Sequence, residues 1–407
     1  MSSAGLRGVI AALGLTQIIG YGTLYYSFSV LAPAMGRDVG WSKDWVFGAF
    51  SLALLIGGLV APWVGRWIDR FGAGRLMAIG SVAAAAALIG PAAISGAVPL
   101  LLGLVAGQVA ATLVQYSAAF TLLVQIRPEG AQRRITYLTL IAGFASTIFW
   151  PLTTAMQEAM TWQQVYLVFA ALHLVLCLPA HLRLSRFRGD PRTPPTSGGP
   201  ADSRAPTLGT LTVAERPRAF TLMVIGFALE SFVNAALLVH MLPLLTALGL
   251  GAAGVLVGSL FGPAQVLSRL INMIFGNGLS QRGLALISAV LLPVAIAILL
   301  ATEPLFAGGL VFAVVFGLGS GLSSIVQGTL PLELFGSAGY GQRLGQITSV
   351  RLVVSSGAPF AMALMITAFG ARWALLATVL LGGMAVLAFL AIGGFARSAK
   401  SAAVDPV

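Results

Sequence analysis

Twelve apolar stretches, each near the length that crosses a bilayer, run the length of this sequence and leave little room for any other fold. A membrane helix needs about 20 mainly apolar residues to cross ~30 Å of hydrocarbon. The stretches fall near residues 8–32, 45–64, 76–95, 98–125, 136–157, 163–183, 219–246, 253–275, 284–301, 305–330, 346–368 and 373–395. Each is therefore expected to be a transmembrane helix, and the fold class is an all-α membrane protein. The first stretch follows a short polar segment, Met1 to Arg7, with no small-residue cleavage site at signal-peptide distance. It is expected to be a retained span.

Composition closes off the soluble alternative. Hydrophobic residues make up 58% of the 407 and charged residues 9%, against roughly 25% charged in soluble domains. Such a chain cannot clothe itself for water, so lipid is its expected surround. The 49 glycines agree, because glycine lets membrane helices approach closely. The net charge of +11 would suggest nucleic acid in a soluble protein, but here no nucleic-acid partner is expected. The positive-inside rule accounts for it by gathering Lys and Arg in cytoplasmic loops. Cys177 is the single cysteine, so no intramolecular disulfide, CxxC or Cys/His metal spacing exists. No metal or other cofactor is expected.

The basic residues also set the orientation. With the N-terminus inside, eighteen of the 23 Lys and Arg lie on the cytoplasmic side, and only Arg37, Lys43 and Arg372 lie outside. Both termini are thus expected in the cytoplasm. Residues 185–218 carry Gly189-Asp190-Pro191, Pro194-Pro195 and Ser197-Gly198-Gly199-Pro200 without helical periodicity, which reads as a flexible linker. It divides the chain into a six-helix bundle over 1–184 and a second over 219–407.

The two halves echo each other. Gly65-Arg66-Trp67-Ile68-Asp69-Arg70-Phe71-Gly72 follows the second stretch, and Gly276, Ser280, Gln281 and Gly283 follow the eighth at a constant offset of 211, with Ser280 in place of Asp69. Gln132-Arg133 is matched by Gln342-Arg343. Duplicated membrane halves are the mark of a secondary transporter with its site near the midplane.

At Gly65-x-x-x-Asp69-Arg70-x-Gly72 the sequence resembles the major facilitator superfamily, whose loop between spans 2 and 3 has this pattern. The resemblance covers essentially the whole chain. It implies two pseudo-symmetric six-helix bundles, a monomer, and a gating role for Gly65, Asp69, Arg70, Gly72 and Arg75. The family usually has two basic residues soon after the second glycine, whereas Ala73-Gly74-Arg75 supplies one. Asp69 and Arg70 could pair, or dock on a neighbouring helix end.

Within the superfamily, Trp41-Ser42-x-x-Trp45, Gly262-Pro263, Arg269 and Arg351 resemble the branch of monocarboxylate transporters and the oxalate/formate exchanger. That branch implies a carboxylate-binding arginine in span 8 and a second basic residue in span 11. Gln265 stands where monocarboxylate carriers usually have an acidic residue, and the acidic entry to span 1 with its lysine is missing as well.

Three charged residues lie deep in the stretches: Glu230, Arg269 and Arg351. Charge at such depth is costly, so it usually lines a cavity or finds a partner. A guanidinium keeps its charge and grips a carboxylate bidentately, which suits Arg269 to an anionic substrate; its structural alternative is an ion pair with Glu230. Desolvation favours the neutral form of a carboxyl, so Glu230 reads as the proton-coupling residue, or else as the acidic group of a cation site. Arg351 sits about five residues into its stretch, where it could either assist the substrate or snorkel to the interface.

Gln17, Tyr21 and Tyr25 share one face of span 1. With Gln115 and Tyr116 in span 4, Asn234 in span 7, Gln265 in span 8 and Gln327 in span 10, they complete the expected substrate-binding set. By the resemblance, spans 1, 4, 7 and 10 line the central cavity; the alternative for each side chain is an interhelical hydrogen bond. No GxSxG, HExxH or P-loop pattern occurs, so an enzyme is not expected, and protons or a counter-substrate must drive transport. The expectation is a transporter of a small mono- or dicarboxylate in a bacterial inner membrane, working by alternating access, by symport or by exchange. An efflux pump for drugs, cations or metalloids is the rival.

Overall fold

The structure, a computed structural model, describes residues 3–186, 208–251 and 253–402. Most of the expected linker, residues 187–207, lies outside the described residues. Among the described residues, eleven helices are long and apolar enough to cross a membrane. They are α1 (Gly5–Val39), α2 (Asp44–Phe71), α3 (Ala73–Ala93), α4 (Ala97–Ile126), α5 (Ala131–Ala159), α6 (Trp162–Leu184) and α7 (Arg216–Ala247), and then α10 (Gln281–Thr302), α11 (Phe306–Phe335), α12 (Tyr340–Phe369) and α13 (Ala371–Ile392).

The expected span over 253–275 is divided. Its residues form α8 (Ala253–Ser259) and α9 (Phe261–Phe275), separated at Leu260. Pro263 has no N–H to offer Ser259 O, so one rung of the α-helical ladder is missing beside this break. Neither piece alone reaches the length of a span, so the expected eighth span is not among the eleven.

Several helices outrun their apolar stretches because a helix need not stop where the hydrocarbon does. α2 continues through Phe71, so Gly65, Asp69 and Arg70 stand on a helix and not in a loop. Gly72 alone joins α2 to α3; its φ of 89° and ψ of 136° suit glycine. α12 begins at Tyr340, six residues ahead of the expected boundary, and this puts Arg351 about 16 Å along the helix at 1.5 Å per residue.

The chain forms two compact units. One comprises the described residues of Met1–Thr207 together with Ser337–Ser349; the other comprises those of Leu208–Gly336 and Val350–Val407. α12 is thus shared, its first ten residues grouping with the first unit. The core of the first unit is built on Leu13, Leu31, Met35, Ile68, Met77 and Phe169, each less than 2% exposed. That of the second centres on Val233, Leu245, Ile296, Phe312, Phe316 and Met362.

Hydrogen bonds at the helix entries correct the register of the internal repeat. In the first unit Ala73 N donates to Gln125 Oε1 at 2.9 Å, and in the second Gln281 N donates to Glu333 Oε2 at 2.8 Å. Both partners are offset by 208 residues, three fewer than the sequence pattern suggested. Ser280, the N-cap of α10, therefore stands where Gly72 stands at the entry to α3.

Candidate functional site

The second unit holds a chain of polar side chains inside apolar helices. Arg269 lies on α9 and is 6% exposed. It gets this close to α11 because the facing positions are glycines: a methyl on Gly317 would come within 2.6 Å of Ala264 Cβ, and one on Gly321 would collide with Ser268 and Gln265. Across this seam Arg269 Nε donates to Ser324 Oγ at 3.1 Å and, more weakly, to Gly321 O at 3.4 Å. Ser324 Oγ in turn donates to Gly321 O at 2.7 Å. Gln265, one turn before Arg269, donates from Nε2 to Ser320 Oγ at 2.8 Å.

Among the described residues, the two Nη groups of Arg269 have no hydrogen-bond partner, and no carboxylate forms an ion pair with it. The guanidinium is anchored by its Nε edge, and its forked end is left uncommitted.

Glu230, on α7, is 2% exposed. Its partners are hydroxyls. Ser323 Oγ donates to Oε2 at 2.8 Å, and Ser288 Oγ lies 3.1 Å from Oε1. Gln327 supports Ser323 by donating from Nε2 to its Oγ at 3.2 Å. Asn234, one turn along α7, donates from Nδ2 to Glu230 O at 2.9 Å and keeps its Oδ1 buried without a partner. The cation whose field reaches Glu230 is Arg351, not Arg269. Arg351 Nε donates to Ser231 Oγ at 2.8 Å, on the residue beside Glu230. The two arginines thus differ in their partners: Arg351 reaches the residue beside Glu230, and Arg269 reaches Ser324.

The first unit gathers the aromatic candidates. Tyr21 and Tyr116 pack at 4.7 Å between ring centroids, and Tyr116 stacks on Phe120 at 4.9 Å. Tyr25, 43% exposed, lies 5.4 Å edge-on to Tyr26 and 5.9 Å from Phe50. Two local breaks bring this cluster together. α1 widens into a π-helical turn over Gly22–Tyr26, and α4 is interrupted at Gln115, whose backbone is extended. Each break is satisfied from the other helix. Gln17 Nε2 donates to Val114 O at 2.6 Å, and Gln108 Nε2 donates to Leu24 O at 2.7 Å. Gln17 is fully buried, while the Nε2 of Gln115 is buried without a partner.

Two further residues escaped the sequence reading. His173 and His181, both 1% exposed, lie on α6 among apolar neighbours. His173 Nε2 contacts Thr23 Oγ1 at 2.8 Å, in the π-turn of α1, and sits in a second π-turn, His173–Cys177. Thr23 already donates to Ile19 O, and a hydroxyl has one hydrogen. Satisfying both contacts places the ring proton on Nε2. His181 Nδ1 meets Ser81 Oγ in the same way at 2.8 Å, with Ser81 donating to Met77 O. The only signal in the sequence is a spacing of eight on one helix, and the π-turn that brings both residues to one face is not legible there.

The Asp69 region forms a separate feature. Asp69 Oδ1 accepts from Gly341 N at 2.9 Å and Oδ2 from Gln342 N at 2.7 Å. Both donors belong to the first turn of α12, where free N–H groups and the helix dipole favour an anion. The helices meet closely enough because Gly65 faces Gly341 and Gly345; a methyl on Gly345 would stand 3.0 Å from Gly65 Cα. Arg70 is exposed, its guanidinium 5.2 Å from the Phe71 ring, and Arg75 is exposed in the first turn of α3.

Eleven helices long and apolar enough to cross a membrane, among the described residues, make this a multi-pass membrane protein. The family model of the Major Facilitator Superfamily matches residues 13–359, and the chain belongs to that superfamily. Solved structures share the fold at low identity. The human organic anion transporter MFSD10 (TETRAN) matches with a TM-score of 0.68 and 13% identity over 96% of this chain and 100% of its own. The proton:xylose symporter XylE, bound to 6-bromo-6-deoxy-D-glucose, matches at 0.70 and 13% over 97% of both chains. The transporter FucP, in its outward conformation, matches at 0.68 and 12% over 94% of this chain and 98% of its own. No curated protein matches the sequence.

Proposed function

We propose that this chain carries a small organic anion, a mono- or dicarboxylate, coupled to protons or to a counter-substrate by alternating access. The observation behind this reading is the state of Arg269. A buried guanidinium without a counter-ion is costly, and here its Nε edge is fixed while the forked end points at no protein group. That end matches a carboxylate in two parallel hydrogen bonds. Gln265 and Ser324 flank it. Arg351 assists by holding Ser231 and tempering Glu230, and Glu230 takes the proton.

In this reading α8 and α9 together cross the membrane as one interrupted span, which makes twelve. Residues 1–184 and 219–407 form the two bundles and 185–218 the linker. The protein is a monomer of a bacterial inner membrane with both termini in the cytoplasm. In the first unit Tyr21, Tyr25 and Tyr116 offer aromatic faces, and Asp69 on the first turn of α12 is the gating contact. The efflux reading draws on the same tyrosines, whose faces could hold a lipophilic cation. It would require Glu230 as the anionic anchor, yet that carboxyl is already engaged by two serines and lies in the field of Arg351.

The test is ligand-dependent thermal stability of the purified protein. Formate, lactate, oxalate and malonate are compared with tetraphenylphosphonium and arsenite, for the wild type and for Arg269→Ala. Stabilisation by a carboxylate that disappears in the variant supports the proposal. Stabilisation by the cation or by arsenite alone overturns it in favour of efflux.

A further inference from the structure

The surroundings of Glu230 contain a mismatch that can be counted. Ser288 Oγ lies 3.1 Å from Glu230 Oε1 and 3.2 Å from Gly319 O. Both neighbours accept, and a serine hydroxyl carries one hydrogen. Ser288 is fully buried, so no bulk water is at hand to relieve the choice. With the carboxyl ionised, the hydrogen of Ser288 belongs on Oε1, where it makes a charge-assisted bond. With the carboxyl protonated on Oε1, the acid itself becomes the donor, and Ser288 is free to turn its hydrogen to Gly319 O. Ser323 faces no such choice: it donates to Oε2 in both states and receives Gln327 Nε2 on its own oxygen.

We infer that Ser288 is a positioning residue of the proton site, its hydroxyl turning between Glu230 Oε1 and Gly319 O as the carboxyl loses or gains a proton. The inference rests on the reading of Glu230 as the proton carrier and adds a device that keeps both protonation states hydrogen-bonded. No proton passes through the serine. One O–H bond forms at Oε1 with a proton delivered from water, the same bond breaks on release, and the O–H of Ser288 stays intact throughout.

The neighbouring charges leave this assignment simple. Among the described residues, Arg351 on α12 is the charged group whose field reaches Glu230. Arg282 at the start of α10 and Glu333 near the end of α11 are paired with each other at 3.4 Å. Arg372 of α13 pairs with Glu303, and Arg269 of α9 turns to Ser324. On the side of α13, Phe389 packs against Phe227 of α7.

The experiment is pH-difference infrared spectroscopy of the full chain in liposomes, reading the C=O band of a protonated carboxyl. A band that grows as pH falls and is missing in Glu230→Gln identifies the group. In Ser288→Ala the acid loses a neutral hydrogen bond and the carboxylate a charge-assisted one. The midpoint of the band is therefore expected to move about one pH unit to the alkaline side, with a change in frequency. Ser288→Cys keeps the volume and a weaker donor, so an intermediate displacement is expected even if the alanine variant folds poorly. Ser323→Ala is expected to raise the band frequency, because the C=O loses its donor. A Ser288→Ala band unchanged in midpoint and frequency, with Glu230→Gln still abolishing it, overturns the role of Ser288 and leaves Glu230 as the proton carrier. Absence of any Glu230-dependent band from about pH 4 to 10 removes the proton carrier itself.

Discussion

The polar groups buried in the two units differ in kind. In the first unit, those at mid-helix are neutral: Gln17, Thr23, Ser81, Gln108, His173 and His181. The glutamines bind backbone carbonyls at a π-turn or a helix break, the hydroxyls bind carbonyls one turn back in their own helices, and the histidines bind those hydroxyls. In the second unit Glu230 is buried with its carboxyl on two serines and Arg269 with its Nε edge on a third, and no ion pair joins them. A neutral amide can repair a helix irregularity at modest energetic cost, whereas a charge in the same place needs a reason. The first arrangement holds irregular helices together; the second leaves the forked end of Arg269 without a protein partner among the described residues.

The strongest challenge to that contrast is Arg269→Ala. Loss of a charged, hydrogen-bonded contact to a carboxylate costs about 3 kcal/mol, on the order of 100-fold in affinity. Transport by reconstituted protein should fall accordingly, and Arg269→Lys, which loses the fork, should not restore it. A wild-type rate in either variant would place the anion elsewhere.

Glu230→Gln comes next. The amide imitates the protonated acid, donating to Ser288 and accepting from Ser323, so the fold should persist. The difference in transport between about pH 5.5 and 7.5 should flatten, and a retained pH response would reassign the coupling.

Smaller effects are expected on the neutral side. Gln17→Leu and Gln108→Leu each leave a buried carbonyl unsatisfied, at about 1–2 kcal/mol of stability, which a denaturation series would show. Their pH profile should match that of the wild type. If Gln17→Leu instead removed substrate-dependent stabilisation without loss of stability, Gln17 would join the binding site and the contrast would weaken. Asp69→Asn should have the smallest effect on stability, about 0.5–1 kcal/mol for a carboxylate lost at a helix N-terminus. Its larger consequence should be a changed transport rate.

Much of this was legible in the chain because the bilayer makes composition informative. Long apolar runs give the helices, and Glu230, Arg269 and Arg351 are conspicuous because charge is rare there. The partners were less visible. Ser288 and Ser323 look like any small residue that lets helices pack, and only the fold brings them to Glu230. The pairing of Arg351 with the Glu230 region depends on where α12 begins, and hydropathy placed that start six residues late. The gap at Leu260 hides inside a continuous apolar run, with Gly262-Pro263 as its sole trace. The carbonyl contacts of Gln17 and Gln108 were not legible either, because the helix irregularities they repair leave no periodic mark in the sequence.

The one-residue join between α2 and α3 bears on how the protein can be handled. A turn with no residues beyond Gly72 gives a protease no extended segment to cleave. It also gives an inserted epitope or fluorescent tag no slack in which to sit. Probes of sidedness and of motion at this end of the helices must therefore be single side chains, such as a cysteine at exposed Arg70 or Arg75 in a background with buried Cys177 removed. At this join, the architecture selects the chemistry of the label.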